Sequence, residues 1–515
     1  MNYLALTIGP IVETLSESKK TKELFAGSYL FSFFMKRLLM QLKNEKYEMI
    51  IPYHQDIDSV LKLQNGVGMF HDRLIVSSNK EKSNIETDIL NFIENNLNYI
   101  TDGVIAIENS KYKEHQELIK EFFKKYLQIS FVISDYFSLK SLNNILDVAE
   151  LHREFIVKPD RFKVLKDQEG NLVNPLVYLQ RRFHSSFLKD DAFGSGKKDF
   201  PSTLEIALEN SINYTYQKQE DEKLEEEALK DVKIYKKYLA VIQADGDKIG
   251  SIIKTMDKEP TKVKDFSEKL LEFTKELPDI AKKYSAKVVY AGGDDILAFA
   301  PIITEDKKTV FDFLEEIDTK FKNIMAELNI EEAKAVSESF GVSLVYYKKP
   351  LYLALNKAIE NLFYIAKADD TIRNKAVIEL IKHSGQSYVI DIVLTSKIYQ
   401  LFNEILKIEL DEEQSGLPHS VAHNLARSYN LLSDLANNRK SDELAEMLKN
   451  FFENNFNKEV HSSDNTKNAL ELLNKLLFEF MIDYQANINE NKEFKGYFEA
   501  FMSLLATIKH LRGDR

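Results

Sequence analysis

The chain has 515 residues, 44% of them apolar and 29% charged, a net charge of −12, and neither cysteine nor tryptophan. Its length exceeds what one core fills, so three or four domains are expected. The missing cysteines exclude disulfides, thiolate-ligated zinc and thiol catalysis. The acidic balance excludes nucleic-acid binding over the whole surface, while leaving room for a local basic groove. No apolar run reaches the roughly 20 residues of a membrane helix, and the first residues lack a signal peptide's basic region. A cytoplasmic protein without membrane contact is the expectation.

The first segment opens with a strand from Tyr3 to Ile8, broken at Gly9-Pro10. Apolar residues at helical spacing predict a long helix from about Ile11 to Lys43. A strand at Met49 to Ile51 follows, then a turn-rich passage, a strand from Arg73 to Val76, helices over about 85–98 and 111–127, and a strand from Ile129 to Ile133. The order strand, helix, two strands, helix, strand is that of a ferredoxin-like α+β layer. Residues 138–232 read as a mainly helical insert, with a helix over Ser141–Phe155, a hairpin over Val164–Val173 and a loop at Gly194–Lys198. The charged run Gln217–Glu227 reads as a solvated helix. Arg181, Arg182, Lys197 and Lys198 are candidate RNA contacts, although a solvated loop explains them as simply.

From Tyr238 the plan repeats: a strand ending in Asp245-Gly246-Asp247, a helix, a hairpin around Gly292-Gly293-Asp294-Asp295, then helix, strand, helix and strand through Ile381. The openings Tyr3-Leu4-Ala5-Leu6 and Tyr238-Leu239-Ala240-Val241 suggest an internal duplication. The fold class expected is therefore α+β: two ferredoxin-like, palm- or cyclase-like units (1–137 and 233–390), the insert (138–232), and a C-terminal helical bundle (391–515).

The chemistry gathers in the second copy. Gly-Gly-Asp-Asp is also what an ordinary solvated turn looks like. Asp245, however, ends a strand that the fold places beside the hairpin, so Asp245, Asp294 and Asp295 can converge. Convergent carboxylates repel unless divalent cations neutralise them. Two such ions about 4 Å apart suit in-line nucleotidyl transfer. The Gly246 carbonyl is a further candidate ligand, and Gly292 and Gly293 permit close approach of a nucleotide. Asp247 is expected to face away along the pleat. Lys367, Arg373 and Lys375 are candidates for holding the phosphates.

Together, Asp245-Gly246-Asp247, Gly292-Gly293-Asp294-Asp295, Ser339-Phe340-Gly341-Val342-Ser343 and Ala366-Lys367 with Arg373-Asn374 resemble the palm domain of GGDEF-type cyclases. Leu4 to Ile11, Phe200-Pro201-Ser202-Thr203, Tyr347 to Leu351 and Lys382 to Gln386 bring the resemblance closer to the large polymerase/cyclase-like subunit of type III-B (Cmr) CRISPR effector complexes. That resemblance implies a target-RNA-activated nucleotidyltransferase. It would use two Mg²⁺ or Mn²⁺ ions and ATP, and would release pyrophosphate in making a cyclic oligoadenylate. In some relatives AMP is instead joined to S-adenosylmethionine. It also implies guide RNA, target RNA and other complex subunits as partners, with Asp245, Asp294 and Asp295 as metal ligands. Many relatives carry an N-terminal HD nuclease domain and a cysteine zinc site. Here His71-Asp72 lacks a histidine cluster, so no DNA nuclease activity is expected, and the insert must pack without zinc. The alternatives are a free-standing cyclase and a catalytically silent structural subunit. The second unit and the bundle are surplus to the former, and the acidic triad serves no packing purpose in the latter.

Overall fold

The computed structural model describes residues 1–63, 67–105, 116–151, 175–188, 200–209, 229–230, 232–369, 371–409, 417–456, 463–487 and 493–512. The expected Val164–Val173 hairpin, the Gly194–Lys198 loop and the Gln217–Glu227 helix lie outside the described residues.

Four strands, β1 (Asn2–Gly9), β2 (Glu48–Ile51), β3 (Arg73–Ser78) and β4 (Gln128–Ser134), make the first sheet. Their spatial order is β2-β3-β1-β4, with each neighbouring pair antiparallel. This is the ferredoxin-like order, with β1 central and Leu4, Ala5, Leu6 and Ile8 buried. The single helix expected from Ile11 to Lys43 is two, α1 (Ile11–Ser16) and α2 (Thr21–Asn44). Glu23 causes the break. Its carboxylate accepts the Lys19 and Lys20 amides at 2.9 and 3.1 Å, which starts a new helix where periodicity alone reads continuity. Further along are α3 (Ile57–Lys62), α4 (Lys82–Ile105), α5 (Gln116–Tyr126), α6 (Leu139–Leu151), α7 (Pro175–Phe187) and α8 (Thr203–Ala207).

Helix α7 gives Arg181 a partner within the chain. Gln180, Phe183 and His184 on it are buried, and Gln180 Nε2 donates to the Thr14 carbonyl at 2.8 Å. Arg181 Nε donates to Glu23 Oε1 at 2.6 Å, and the Glu23 side chain is wholly buried. Arg182 lies over the Tyr178 ring at 5.3 Å. The basic and aromatic cluster is thus the face that docks the insert onto α2. Lys197 and Lys198 lie outside the described residues.

The second sheet contains β5 (Tyr238–Asp247), β6 (Lys287–Gly292), β7 (Asp295–Pro301), β8 (Ser337–Tyr346), β9 (Lys375–Ile381) and β10 (Ser387–Val393). Its order is β10-β9-β8-β5-β7-β6. The block β8-β5-β7-β6 repeats the ferredoxin-like order, and β9 then adds parallel to β8. Around it lie α9 (Ile249–Thr255), α10 (Pro260–Lys283), α11 (Val310–Ala326) and α12 (Leu351–Glu360), the last continued by a π-helical turn, Asn361–Ala366. The expected boundary at 390 falls inside β10, a strand missed in the sequence. Its partner β9 is the last strand legible there.

The C-terminal part is helical: α13 (Lys397–Lys407), α14 (Leu417–Arg427), α15 (Tyr429–Asn438), α16 (Ser441–Asn455), α17 (Asp464–Ala486) and α18 (Phe494–Arg512). Helix α18 packs on β10, and its His510 ring meets Tyr238 edge-on at 4.9 Å. Among the described residues no helix is long and apolar enough to cross a membrane. The two sheet units share a continuous apolar core. They also touch by backbone, since the Ala291 amide donates to the Gly68 carbonyl at 3.0 Å.

Because Glu23 is buried, removing its cation exposes a desolvation cost. Arg181→Ala is expected to destabilise the chain by about 1.5–3 kcal/mol, read as a lower urea midpoint at unchanged slope. Arg181→Ala with unchanged stability contradicts the structural role.

Candidate active site

The hairpin β6–β7 closes through Gly293 and Asp294, with Gly292 paired to Asp295. Gly293 has φ +79°, as the first loop position of a type II′ hairpin requires. The Tyr290 ring folds over Gly292 and leaves no room there for a Cβ. Asp294 thus occupies the loop, and Asp295 is the first residue of β7.

Gly246 is the point about which the acids gather. A Cβ on it would stand 2.8 Å from both Cβ and Oδ2 of Asp294, and its amide stabilises the Asp294 carboxylate. Asp245 and Asp247 flank it and, being two residues apart, share the other face of the strand. Asp247 therefore does not face away as expected. It is buried, and its Oδ2 accepts from Ser337 Oγ at 2.7 Å, Ser339 Oγ at 2.8 Å and the Asn374 amide at 3.0 Å. The alternation of Ser337 and Ser339 on β8 was the signal available in the sequence.

Two of the three expected phosphate-binding cations lie at the acids. Lys367 pairs with Asp245 and donates to the Gly246 carbonyl at 2.8 Å. Its ammonium is 3.9 Å from Asp247 Oδ1, and Arg373 Nε is 4.0 Å from the same oxygen. Lys375 is not part of the site. Its Nζ pairs with Asp391 on β10 at 3.0 Å, because position 375 begins β9 opposite Val393.

Negative charge is nevertheless in excess. Burial raises the Asp294 carboxyl. Burial, then the charges of Asp294 and Asp72, push Asp295 up to about 8. Tyr290 beside them is raised by burial and by the same acids. Lys367 is pulled down to about 7 by burial and then by Arg373. Asp72 comes from the first unit, and its contribution was missed because nothing local marks a residue 223 positions before Asp295 as its neighbour (295 − 72). The donor set, all hard oxygens, fits Mg²⁺ or Mn²⁺ better than a soft metal.

Among the described residues, the three-ligand grouping within 4.8 Å is not these acids but His54, Glu268 and Glu272 at the seam between the units. All three already have partners there. His54 Nδ1 accepts the Asp56 amide at 3.0 Å, Glu268 accepts the Gln55 amide at 2.7 Å, and Glu272 pairs with Lys269 at 2.8 Å. That grouping is a satisfied polar seam.

Comparison with known proteins places this geometry. Residues 238–377 match the profile "Cas10/Cmr2, second palm domain", and residues 3–105 match "CRISPR-associated protein Cmr2, N-terminal". The CRISPR system Cmr subunit Cmr2 of Pyrococcus furiosus is 26% identical over 322 residues, which are 55% of this chain and 34% of that protein. The chain thus spans about a third of the length of this curated relative. Solved structures share the fold at 12% identity. A type III-B Cmr-beta chain in the apo state aligns with TM-score 0.55 over 87% of this chain and 77% of its own. One bound to cognate target RNA gives 0.56 over 90% and 80%. A Csm1–Csm4 cassette in complex with pppApApA gives 0.51 over 99% and 69%. The first sheet unit thus carries the N-terminal domain of Cmr2, and the unit with the paired acids carries the second palm domain of the Cas10/Cmr2 family of CRISPR-associated proteins.

Proposed function

We propose that this chain is the nucleotidyltransferase subunit of a type III CRISPR effector complex. In this reading, guide and target RNA switch it on, and it converts ATP into a second messenger with release of pyrophosphate. The observation that carries the proposal is an excess of acids at one strand end: Asp294 stands against Gly246, Asp295 follows it, and Asp245 precedes Gly246 on β5, with the Asp294 and Asp295 carboxyls raised first by burial. A packing role would not require such an excess.

The transfer is a substitution at the α-phosphorus of ATP. An acceptor hydroxyl oxygen forms the new P–O bond, its proton leaves, and the bond to pyrophosphate breaks. Asp245, Asp294 and Asp295 would hold Mg²⁺ or Mn²⁺, which when bound lowers the hydroxyl's pKa and neutralises the departing pyrophosphate. Lys367 and Arg373 lie on the Asp245/Asp247 face and can turn to the phosphates once a cation takes over the acids. The acceptor is a hydroxyl of another adenylate, giving a cyclic oligoadenylate, or one on S-adenosylmethionine. The pppApApA in the Csm1–Csm4 complex is the kind of chain that repeated attack on ATP yields.

Asp294→Ala with Asp295→Ala should lower product formation by at least about 10²-fold while the complex still assembles. Robust product from the double variant rejects the assignment. The cations separate by position. Lys367→Ala should lower kcat/KM for ATP by roughly 10-fold or more, whereas Lys375→Ala should leave it within about twofold. Equal losses at both would place the phosphates elsewhere.

A further inference from the structure

Glu338 is a buried acid beside the site that the proposed transfer does not use. It lies on β8 directly opposite Gly246. Paired residues of antiparallel strands project to the same face, so Glu338 shares the Gly246 face, the one over which Asp294 is folded. Its side chain is wholly buried, and neither carboxylate oxygen has a hydrogen-bond partner.

The neighbouring donors are engaged with other groups. Ser337 and Ser339, on either side of it in sequence, point to the opposite face and serve Asp247. The amide of Glu338 itself goes to Asp318 Oδ1 at 2.9 Å, and Lys322 pairs with Asp318 Oδ2 at 2.6 Å. What surrounds the Glu338 carboxyl instead is negative: burial, then Asp294, Asp247, Asp318 and Asp295, raise it well above the ordinary carboxylate range. A buried carboxyl with two unpartnered oxygens is costly in either protonation state. Among acids and without a spare donor, a hard cation is the partner that would satisfy it.

We propose that Glu338 is a ligand for a divalent cation shared with Asp294, on the Gly246 face of the sheet. This rests on the nucleotidyl-transfer reading and adds a fourth carboxylate to the three that motif position assigns. Glu338 would tie the hairpin to β8 through the ion, so that loading the site stiffens the β8-β5-β7 block. Lys367, paired with Asp245 on the other face, is left to turn to the triphosphate.

The test is Mn²⁺ binding to the full chain, followed by electron paramagnetic resonance of the free ion, for the unaltered protein, Glu338→Gln and Asp294→Ala. The amide variant keeps the shape and removes the charge. It is expected to bind Mn²⁺ at least 10-fold more weakly and to lose most of the Mn²⁺-induced rise in Tm, while its Tm in EDTA is unchanged or higher. Glu338→Met, of similar length, carries the same expectation should the amide variant fail to fold. If Glu338→Gln binds Mn²⁺ as tightly as the unaltered chain while Asp294→Ala does not, this proposal alone is overturned, and Glu338 is a buried structural acid. If the unaltered chain takes up no Mn²⁺, the nucleotidyl-transfer reading falls, and this proposal with it.

Discussion

The structure turns on a local excess of negative charge at the end of its central strand. β5 runs between β7 and β8, and where it ends, Asp245, Asp247, Asp294 and Glu338 surround a residue with no side chain, Gly246. Strand pairing sets this geometry and cannot relax it, because the registers to β7 and β8 are fixed by fully buried neighbours such as Ala244, Ile296 and Phe340. Lys367 answers part of the charge from one face. On the other, neither carboxylate oxygen of Glu338 has a hydrogen-bond partner.

The rest of the chain can be understood as holding that strand end in place. Ser337 and Ser339 fix Asp247, Lys322 fixes Asp318, and the tight Gly293 loop fixes the hairpin. The first sheet unit repeats the strand order without these acids at its first strand end, which shows that the fold itself does not require them. It contributes in another way, by joining its Gly68 carbonyl to the Ala291 amide and bringing the charge of Asp72 to bear on Asp295. Of two units with the same strand order, one thus carries the carboxylates and the other is the wall against which their hairpin rests.

Much of this was legible in the sequence. The strand and helix periods gave both four-stranded orders, and the glycines next to paired aspartates gave the hairpin. Asp247 was misjudged although the rule was at hand: residues two apart on a strand share a face, and the alternating serines on β8 mark that face as polar. Other features depend on contacts between segments distant in sequence. A glutamate between two serines reads as an ordinary strand residue until its partner strand shows Gly246 opposite. The ion pair of Arg181 was not legible because its partner, the buried Glu23, lies 158 residues away. Lys375 looked like a phosphate ligand because it follows Arg373, yet the β9–β10 pairing turns it toward Asp391.

The most direct measurement is the product itself. The assembled complex, with guide and target RNA, would be incubated with labelled ATP, with and without S-adenosylmethionine, and its products weighed by mass spectrometry. The account predicts an adenylate-containing product, with one pyrophosphate released per adenylate incorporated, and only when target RNA is present. ATP left intact, or split to ADP and phosphate, would contradict it.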